Sequence, residues 1–154
     1  MHVLIFHLGQ ARVALPSALI AQVLPMLATT AIPGAPAFIA GLINYHGRAV
    51  PVVDLAALAG GAAARERLDT RILLVDYPSP EGTRYSLGLI AEGVTGTARV
   101  AAEGAAASGL SLPQVPYLGR VVSSSAGILQ LIELSDLLPQ AVRCLLFQAP
   151  VAPC

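Results

Sequence analysis

One short segment limits the possible folds of this chain more than any other, because two apolar runs face each other across a tight turn. Residues 40–44 and 49–53 are mostly apolar, and Gly47, which lies between them, can supply the positive φ that a short hairpin turn requires. Asp54 follows the second run and is placed to cap a short helix over residues 55–59. The segment therefore predicts a β-hairpin that leads into one turn of helix.

The rest of the chain repeats this pattern of short β-rich runs separated by turn residues. Hairpins are predicted around Gly9, over residues 71–91 and over residues 117–132, and residues 142–147 are predicted to form a closing strand. Residues 101–116 are low in charge and rich in Ala, Gly, Ser and Pro, which indicates a loop. We expect an all-β fold with a few short helices, in sandwich or barrel packing.

A weak internal repeat indicates that the chain has two similar halves. Residues 52–58 and 131–137 share the order apolar, apolar, acid, Leu, any, any, Leu, and each follows a predicted hairpin strand. The duplication predicts two small barrels that share a core, with the second half at about residues 70–140. We expect the interleaved halves to form a single domain over residues 1–149, followed by a C-terminal tail at 150–154.

Charge and cysteine content narrow the classes of partner. Nine Asp and Glu residues balance nine basic residues, all of them Arg, so no excess positive charge attracts nucleic acid or an anionic membrane. Cys144 and Cys154 are the two cysteines, which is too few for a disulfide framework, and this fits a reducing cytoplasm. We expect a cytoplasmic protein that does not bind nucleic acid.

The high mean hydropathy of +0.71 raises the question of a membrane. No charged residue occurs from Val13 to Gly47, but four prolines and several polar residues interrupt this region, so it contains no proline-free apolar run of about 20 residues. We therefore expect no direct membrane insertion, and the apolar excess indicates a large buried or partner-covered surface. A membrane-associated β-protein that uses this uncharged region remains an alternative.

The chain offers few groups that could carry catalysis. Its three histidines are isolated from one another, without metal-ligand spacing, and Cys144 has no adjacent base. Asp54 and Glu133 are the most plausible acid pair, although each stands where a helix-capping acid is expected. We expect no catalytic residues, no metal and no cofactor, and an unrecognised β-rich enzyme that uses these two carboxylates remains the other alternative.

The segment from Pro33 to Leu55 also carries a family pattern. It reads Pro-x-x-Pro, then Gly-Leu-Ile-Asn-x-x-Gly, then Pro-Val-Val-Asp-Leu, and it resembles the most distinctive segment of the CheW-like coupling proteins of bacterial chemotaxis-type arrays. Residues 6–9, Phe-His-Leu-Gly, match the first strand of that family, and the resemblance covers about residues 3–147. It implies two five-stranded barrel-like subdomains packed together.

The resemblance also implies a function and two sets of contact residues. The family couples a methyl-accepting chemoreceptor to a CheA-like histidine kinase, as a non-enzymatic adaptor recruited from the cytoplasm to membrane receptor arrays. The positions that would meet the kinase regulatory domain are Gly41, Leu42, Asn44, His46, Gly47 and Arg48. The positions that would line a groove for the helical tip of the receptor are Val23, Ile39 and Val94. Core packing is the alternative role for Leu42, Ile39 and Val23.

Two positions depart from the family pattern. Gln22-Val23 stands where a Glu-Val pair is common, and His46 stands where Arg is usual, so both charges are absent. We hypothesise a divergent coupling protein with its own receptor and kinase. Residues 35–45 and 71–77 look similar to coupling proteins of surface-sensing pathways that regulate cyclic-di-GMP.

Overall fold

The computed structural model describes residues 1–78, 84–100, 106–107, 118–124 and 127–147. The predicted turns after Pro78 and Ser124 lie outside these residues, as does the predicted C-terminal tail. Most of the predicted loop at 101–116 also lies outside them, although residues 106–107 are described and form a short strand.

The described residues are mostly β-structure, which confirms the predicted fold class. The strands are β1 (His2–Leu8), β2 (Ala11–Pro16), β3 (Ile20–Leu24), β4 (Ile39–Tyr45), β5 (Arg48–Asp54), β6 (Arg71–Pro78), β7 (Arg84–Arg99), β8 (Ala106–Ala107), β9 (Leu118–Ser124) and β10 (Gly127–Ile132). The helices are α1 (Leu55–Leu58), α2 (Gln140–Phe147) and two short 3-10 helices, Ser17–Leu19 and Leu134–Asp136. Within the described ranges no helix has the length and apolar character needed to cross a bilayer.

Strand β7 is 16 residues long and belongs to two sheets. Its first half pairs with β6 and β5 in a middle sheet of order β3-β6-β7-β5-β4. Its second half pairs with β1 in a terminal sheet of order β7-β1-β2-β10-β9-β8. The prediction of two packed β-subdomains is confirmed. Neither sheet closes through its described strands, so the subdomains are open sheets and only loosely barrel-like.

The strand pairing shows how the two halves of the chain interleave. The N-terminal hairpin, β1 and β2, pairs with β10 from the C-terminal part of the chain, whereas the β6–β7 hairpin pairs with β3 and β5 from the first part. Each sheet is therefore completed by a hairpin from the opposite part of the chain. The domain limits at residues 1 and 149 stay a prediction.

Strands β1 and β6 bury side chains on both faces, because successive side chains along a strand point to opposite sides. In β1, Leu4 and Phe6 enter a large core shared by the two sheets. Val3 and Ile5 point to the opposite face of the terminal sheet and enter a separate, smaller core. In β6, residues 73, 75 and 77 enter the shared core, and residues 72 and 74 enter a separate core of the middle sheet. Three layers of apolar packing explain the high apolar content.

Residues 142–147 form most of α2, so the predicted closing strand is wrong. The backbone N–H groups of Val142 and Arg143 both donate to the carbonyl of Pro139, and a proline is well suited to the start of a helix. Val142 and Leu146, four residues apart, pack against the shared core on one side of the helix. A short apolar run of this kind does not distinguish a strand from a helix by its pattern alone.

Asp54 caps α1, as predicted. One carboxylate oxygen accepts from the backbone N–H groups of Ala56 at 3.0 Å and Ala57 at 3.3 Å, and the other accepts from Ala64 at 2.8 Å. Glu133 occupies the corresponding position in the repeat, but its side chain makes no capping bond and instead pairs with Arg120 at 3.3 Å. The two acids therefore have different structural partners, and nothing in these contacts supports a catalytic pair.

Replacing Asp54 should destabilise the fold through this cap. Asp54 is 7% exposed, so Asp54→Ala leaves three backbone donors without their carboxylate, and we expect the free energy of unfolding to fall by about 1–3 kcal/mol. Urea unfolding measures the change. The matched control is Glu133→Ala, which removes a largely exposed ion pair and should cost no more than about 0.5 kcal/mol. Equal losses in the two variants would contradict the cap as the source of stability.

Tyr77 ties β6 to the segment that precedes α2. Its hydroxyl donates to the carbonyl of Ser135 at 3.2 Å and accepts from the N–H of Leu138 at 3.4 Å. Desolvation by burial raises the pKa of Tyr77, and this effect outweighs the Leu138 N–H and the charge of Arg143, which favour the anion. A neutral tyrosine thus connects the middle sheet to the C-terminal segment.

Tyr77→Phe should lower the free energy of unfolding by about 1–3 kcal/mol below about pH 9, because the N–H of Leu138 loses its acceptor. The pKa is raised in the folded state, so the stabilising contribution of Tyr77 is present below the ordinary tyrosine pKa and is lost as the pH rises above about 10. Urea unfolding at about pH 8 and about pH 10.5 measures both effects. With Tyr85→Phe as the control, a difference between wild type and Tyr77→Phe that does not shrink with pH would contradict this account.

Candidate protein-binding surfaces

The β4–β5 hairpin ends in a two-residue turn, which confirms the predicted hairpin. Tyr45 pairs with Arg48, and the two residues between them, His46 and Gly47, have φ values of 51° and 81°. Two central residues with positive φ are typical of a type I′ turn. The side-chain oxygen of Asn44 accepts from the N–H of Gly47 at 2.9 Å and holds the turn closed.

All six residues predicted to contact a kinase lie on this hairpin, but their exposure differs. Asn44, His46, Gly47 and Arg48 are exposed at the tip, whereas Leu42 is half-buried on β4. Gly41 is buried with a φ of 137°, and a Cβ atom there would overlap the carbonyl of Thr30. The role of Gly41 is therefore conformational, because a residue without a Cβ atom permits the close approach of the Thr30 segment to β4.

The edge of β4 is partly covered by that segment. The N–H and C=O groups of Leu42 exchange two hydrogen bonds with Thr30, both of 2.8 Å. On the other side of β4, Leu42 lies opposite Pro51, which has no N–H to donate. This arrangement satisfies the backbone of Leu42 and leaves its side chain half-exposed beside the tip.

Tyr45 joins the two positions that depart from the family pattern. Its hydroxyl donates a hydrogen bond to the side-chain oxygen of Gln22, and its ring meets the His46 ring edge to face, with centroids 4.3 Å apart. The Gln22–Tyr45–His46 cluster spans the gap between β3 and β4, the two edges of the middle sheet. Sequence reasoning did not include Tyr45 among the site residues, although the paired loss of two charges around it was a usable signal.

The hairpin tip can present only positive charge to a partner. Residues 13–53 contain no acidic residue and one arginine, Arg48, and the next acid along the chain, Asp54, is buried in the cap of α1. Arg48 is exposed, and no ion pair with it occurs among the residues that the structure describes. An exposed cation that has no ion pair among the described residues favours a partner that carries a carboxylate.

The three predicted receptor-binding residues do not share one exposed surface. Val23 is 42% exposed on β3, whereas Ile39 is 8% exposed and packs in the shared core. Val94 is half-buried against the same core, and its N–H donates to the carbonyl of Asp69 at 3.0 Å. Of the three, Val23 offers most of its side chain to a partner, and the receptor assignment stays a prediction.

Two open grooves lie near these residues. The larger, of about 680 Å³, is lined by Val23, Pro25, Met26, Glu66, Arg67, Leu68, Thr70 and Arg71. The smaller, of about 380 Å³, lies between the β1–β2 turn and α1 and is lined mainly by alanine and glycine, together with Leu8, Arg65 and Glu92. Val23 lines the larger groove, and none of the three predicted receptor-binding residues lines the smaller one. Within the described residues, no group of three His, Cys, Asp or Glu side chains is close enough to hold a metal ion.

Comparison with known proteins agrees with this architecture. The chain is similar to the crystal structure of the scaffolding protein TtCheW from Thermoanaerobacter tengcongensis, with a TM-score of 0.76 and 23% sequence identity over 88% of this chain and 90% of that chain. No curated protein sequence matches the chain. The family model described as the CheW-like domain matches residues 2–142. The chain therefore belongs to the CheW-like family, whose members are non-enzymatic scaffold and adaptor proteins of chemosensory signalling.

Proposed function

We propose that this protein couples the regulatory domain of a CheA-like histidine kinase to the cytoplasmic tip of a methyl-accepting chemoreceptor. It acts in the cytoplasm, is recruited to membrane receptor arrays, and needs no cofactor or nucleic acid. The observation that carries the proposal is the exposed β4–β5 tip, where the distinctive family segment forms a two-residue turn that presents polar side chains at the surface. Family membership supports the adaptor role, and the tip supplies a surface for the kinase.

The six residues proposed to form the kinase contact have two roles: some present side chains to the kinase, and the two glycines shape the backbone. Asn44, His46 and Arg48 present polar and cationic groups, and Leu42 adds an apolar side chain beside them. Gly41 and Gly47 hold the backbone in the conformation that displays the others. Because the surrounding chain lacks acids, the facing surface of the kinase should carry at least one carboxylate.

The Gln22–Tyr45–His46 cluster supports a dedicated partner for this chain. Where the family usually has charged Glu and Arg, this chain has a neutral hydrogen bond and a ring contact. A kinase surface adapted to a Glu and an Arg at these positions fits the Gln22–Tyr45–His46 cluster poorly. The similarity of residues 35–45 and 71–77 to surface-sensing coupling proteins supports a pathway that regulates cyclic-di-GMP.

The kinase contact can be tested by substitution at the tip. We expect Arg48→Glu to weaken binding to the cognate kinase regulatory domain about tenfold or more, because it reverses the charge facing a carboxylate. Leu42→Asp should weaken binding as well. Pull-down from native cytoplasm and membranes with mass spectrometry identifies the kinase and the receptor, and titration calorimetry then measures the affinities.

The control for charge is Arg99→Glu, which alters an exposed arginine of β7 in the terminal sheet. Circular dichroism confirms that each variant is folded. Recovery of no CheA-like kinase by the folded wild-type protein, or equal binding by Arg48→Glu and wild type, would contradict the proposed contact.

The Gln22–Tyr45–His46 cluster predicts that restoring the family arginine at position 46 does not raise the affinity for the kinase. His46→Arg should not raise the affinity for the cognate kinase, because the longer side chain loses the edge-to-face contact with Tyr45 and finds no carboxylate at Gln22. His46→Asn is the control, since asparagine tolerates the positive φ but lacks the ring. A clear gain in affinity for His46→Arg in calorimetry would show that the cluster does not compensate for the lost charges.

A further inference from the structure

One wall of the larger groove is continuous with the chain that leads to the β4–β5 hairpin. Val23, Pro25 and Met26 form this wall, and residues 25–38 then connect β3 to β4. Met26 of the wall and Tyr45 of the hairpin both pack against the core of the middle sheet. The groove wall and the hairpin therefore rest on the same apolar core.

Two attachments fix this wall to β4, one on each side of it along the chain. Before the wall, the side-chain oxygen of Gln22 accepts a hydrogen bond from the hydroxyl of Tyr45. After the wall, Thr30 and Leu42 exchange two backbone hydrogen bonds of 2.8 Å. Because β3 pairs with β6 and β4 pairs with β5, these attachments, and not a strand ladder, join the two strands within the part of the chain that the structure describes.

Tyr45 is the residue of these attachments that also touches the tip of the hairpin. Its hydroxyl binds Gln22, which precedes Val23 of the groove wall, and its ring contacts the ring of His46. The hydrogen bond is exposed, so water can replace either partner and the bond can be made or broken at a small cost in free energy. A contact of this kind has two accessible states, and a ligand that prefers one of them shifts the population toward it.

We propose that Tyr45 is a positioning residue that makes the groove and the hairpin tip bind their partners cooperatively. The inference rests on the proposed function and adds to it a residue outside both predicted contact sets. A receptor helix beside Val23 holds the groove wall in place and favours the Gln22–Tyr45 bond, which holds His46 in the orientation that the kinase binds. The kinase then loses less conformational freedom on binding, so its affinity rises. Linkage requires that the kinase raise the receptor affinity by the same factor.

The test measures the kinase affinity with and without the receptor. Titration calorimetry with the full chain uses the kinase regulatory domain recovered by pull-down and a helical-hairpin fragment of the receptor tip at saturating concentration. For the wild type we expect the fragment to tighten kinase binding about fivefold or more. Tyr45→Phe retains the ring and removes the hydroxyl, so the ratio of the two affinities should fall to about one.

The same bond can be broken from its other end. Gln22→Ala removes the acceptor and should lower the ratio as Tyr45→Phe does. The double variant should lower it no further, because both single substitutions break one bond. Tyr85→Phe is the control, since it removes a hydroxyl from a tyrosine that stacks on Phe147, and it should keep the wild-type ratio. Circular dichroism confirms that each variant is folded.

The ratio separates cooperative positioning from a direct role of Tyr45 in one interface. Because both affinities belong to the same variant, a general loss of kinase binding cancels in the ratio. A wild-type ratio in Tyr45→Phe, whatever its kinase affinity, would overturn the inference. A wild-type chain that binds both partners independently, or binds the kinase less tightly when the fragment is present, would overturn it and leave the adaptor role intact. Failure of the wild-type chain to bind the kinase domain would overturn both.

Discussion

Burial of both faces of β1 and β6 is the constraint on which the rest of the fold depends. Each strand places alternate side chains in the shared core and in the core of its own sheet, so neither strand has a solvent face. This arrangement needs a continuous run of apolar residues in each strand, whereas a half-exposed strand would alternate apolar and polar residues. It also requires that other elements cover both sides. On the shared-core side, α2 and the 3-10 helix Leu134–Asp136 contribute from the C-terminal part of the chain. The opposite faces of β1 and β6 are covered by other strand residues, such as Leu129 for β1 and Leu24 for β6.

Much of this architecture could be predicted from local chemistry. Gly47 between two apolar runs indicated a tight hairpin, and an acid before Leu55 indicated a cap; both features depend on neighbours in sequence. The strand character of β1, β6 and β10 followed from β-branched and aliphatic runs bounded by turn residues. Such features need no knowledge of distant contacts.

Features that depend on distant contacts could not be predicted in this way. Residues 142–147 form a helix because one face packs on the shared core, and no local pattern revealed that. Ile39 and Val23 are similar residues in sequence, yet Ile39 is buried in the shared core whereas Val23 is exposed on the edge strand β3 and lines a groove. The contact of Tyr45 with Gln22 joins residues 23 positions apart, and the family pattern marked its partners but not Tyr45 itself.

The continuity of β7 through both sheets has a mechanical consequence. A hinge between the two sheets would have to break the hydrogen-bond ladders on either side of residues 91 and 92 and separate the shared core. The middle sheet, which carries the hairpin tip, is therefore joined to the terminal sheet by a continuous strand as well as by a shared core. A rotation of one sheet against the other would carry the free-energy cost of separating the apolar side chains that are packed between them.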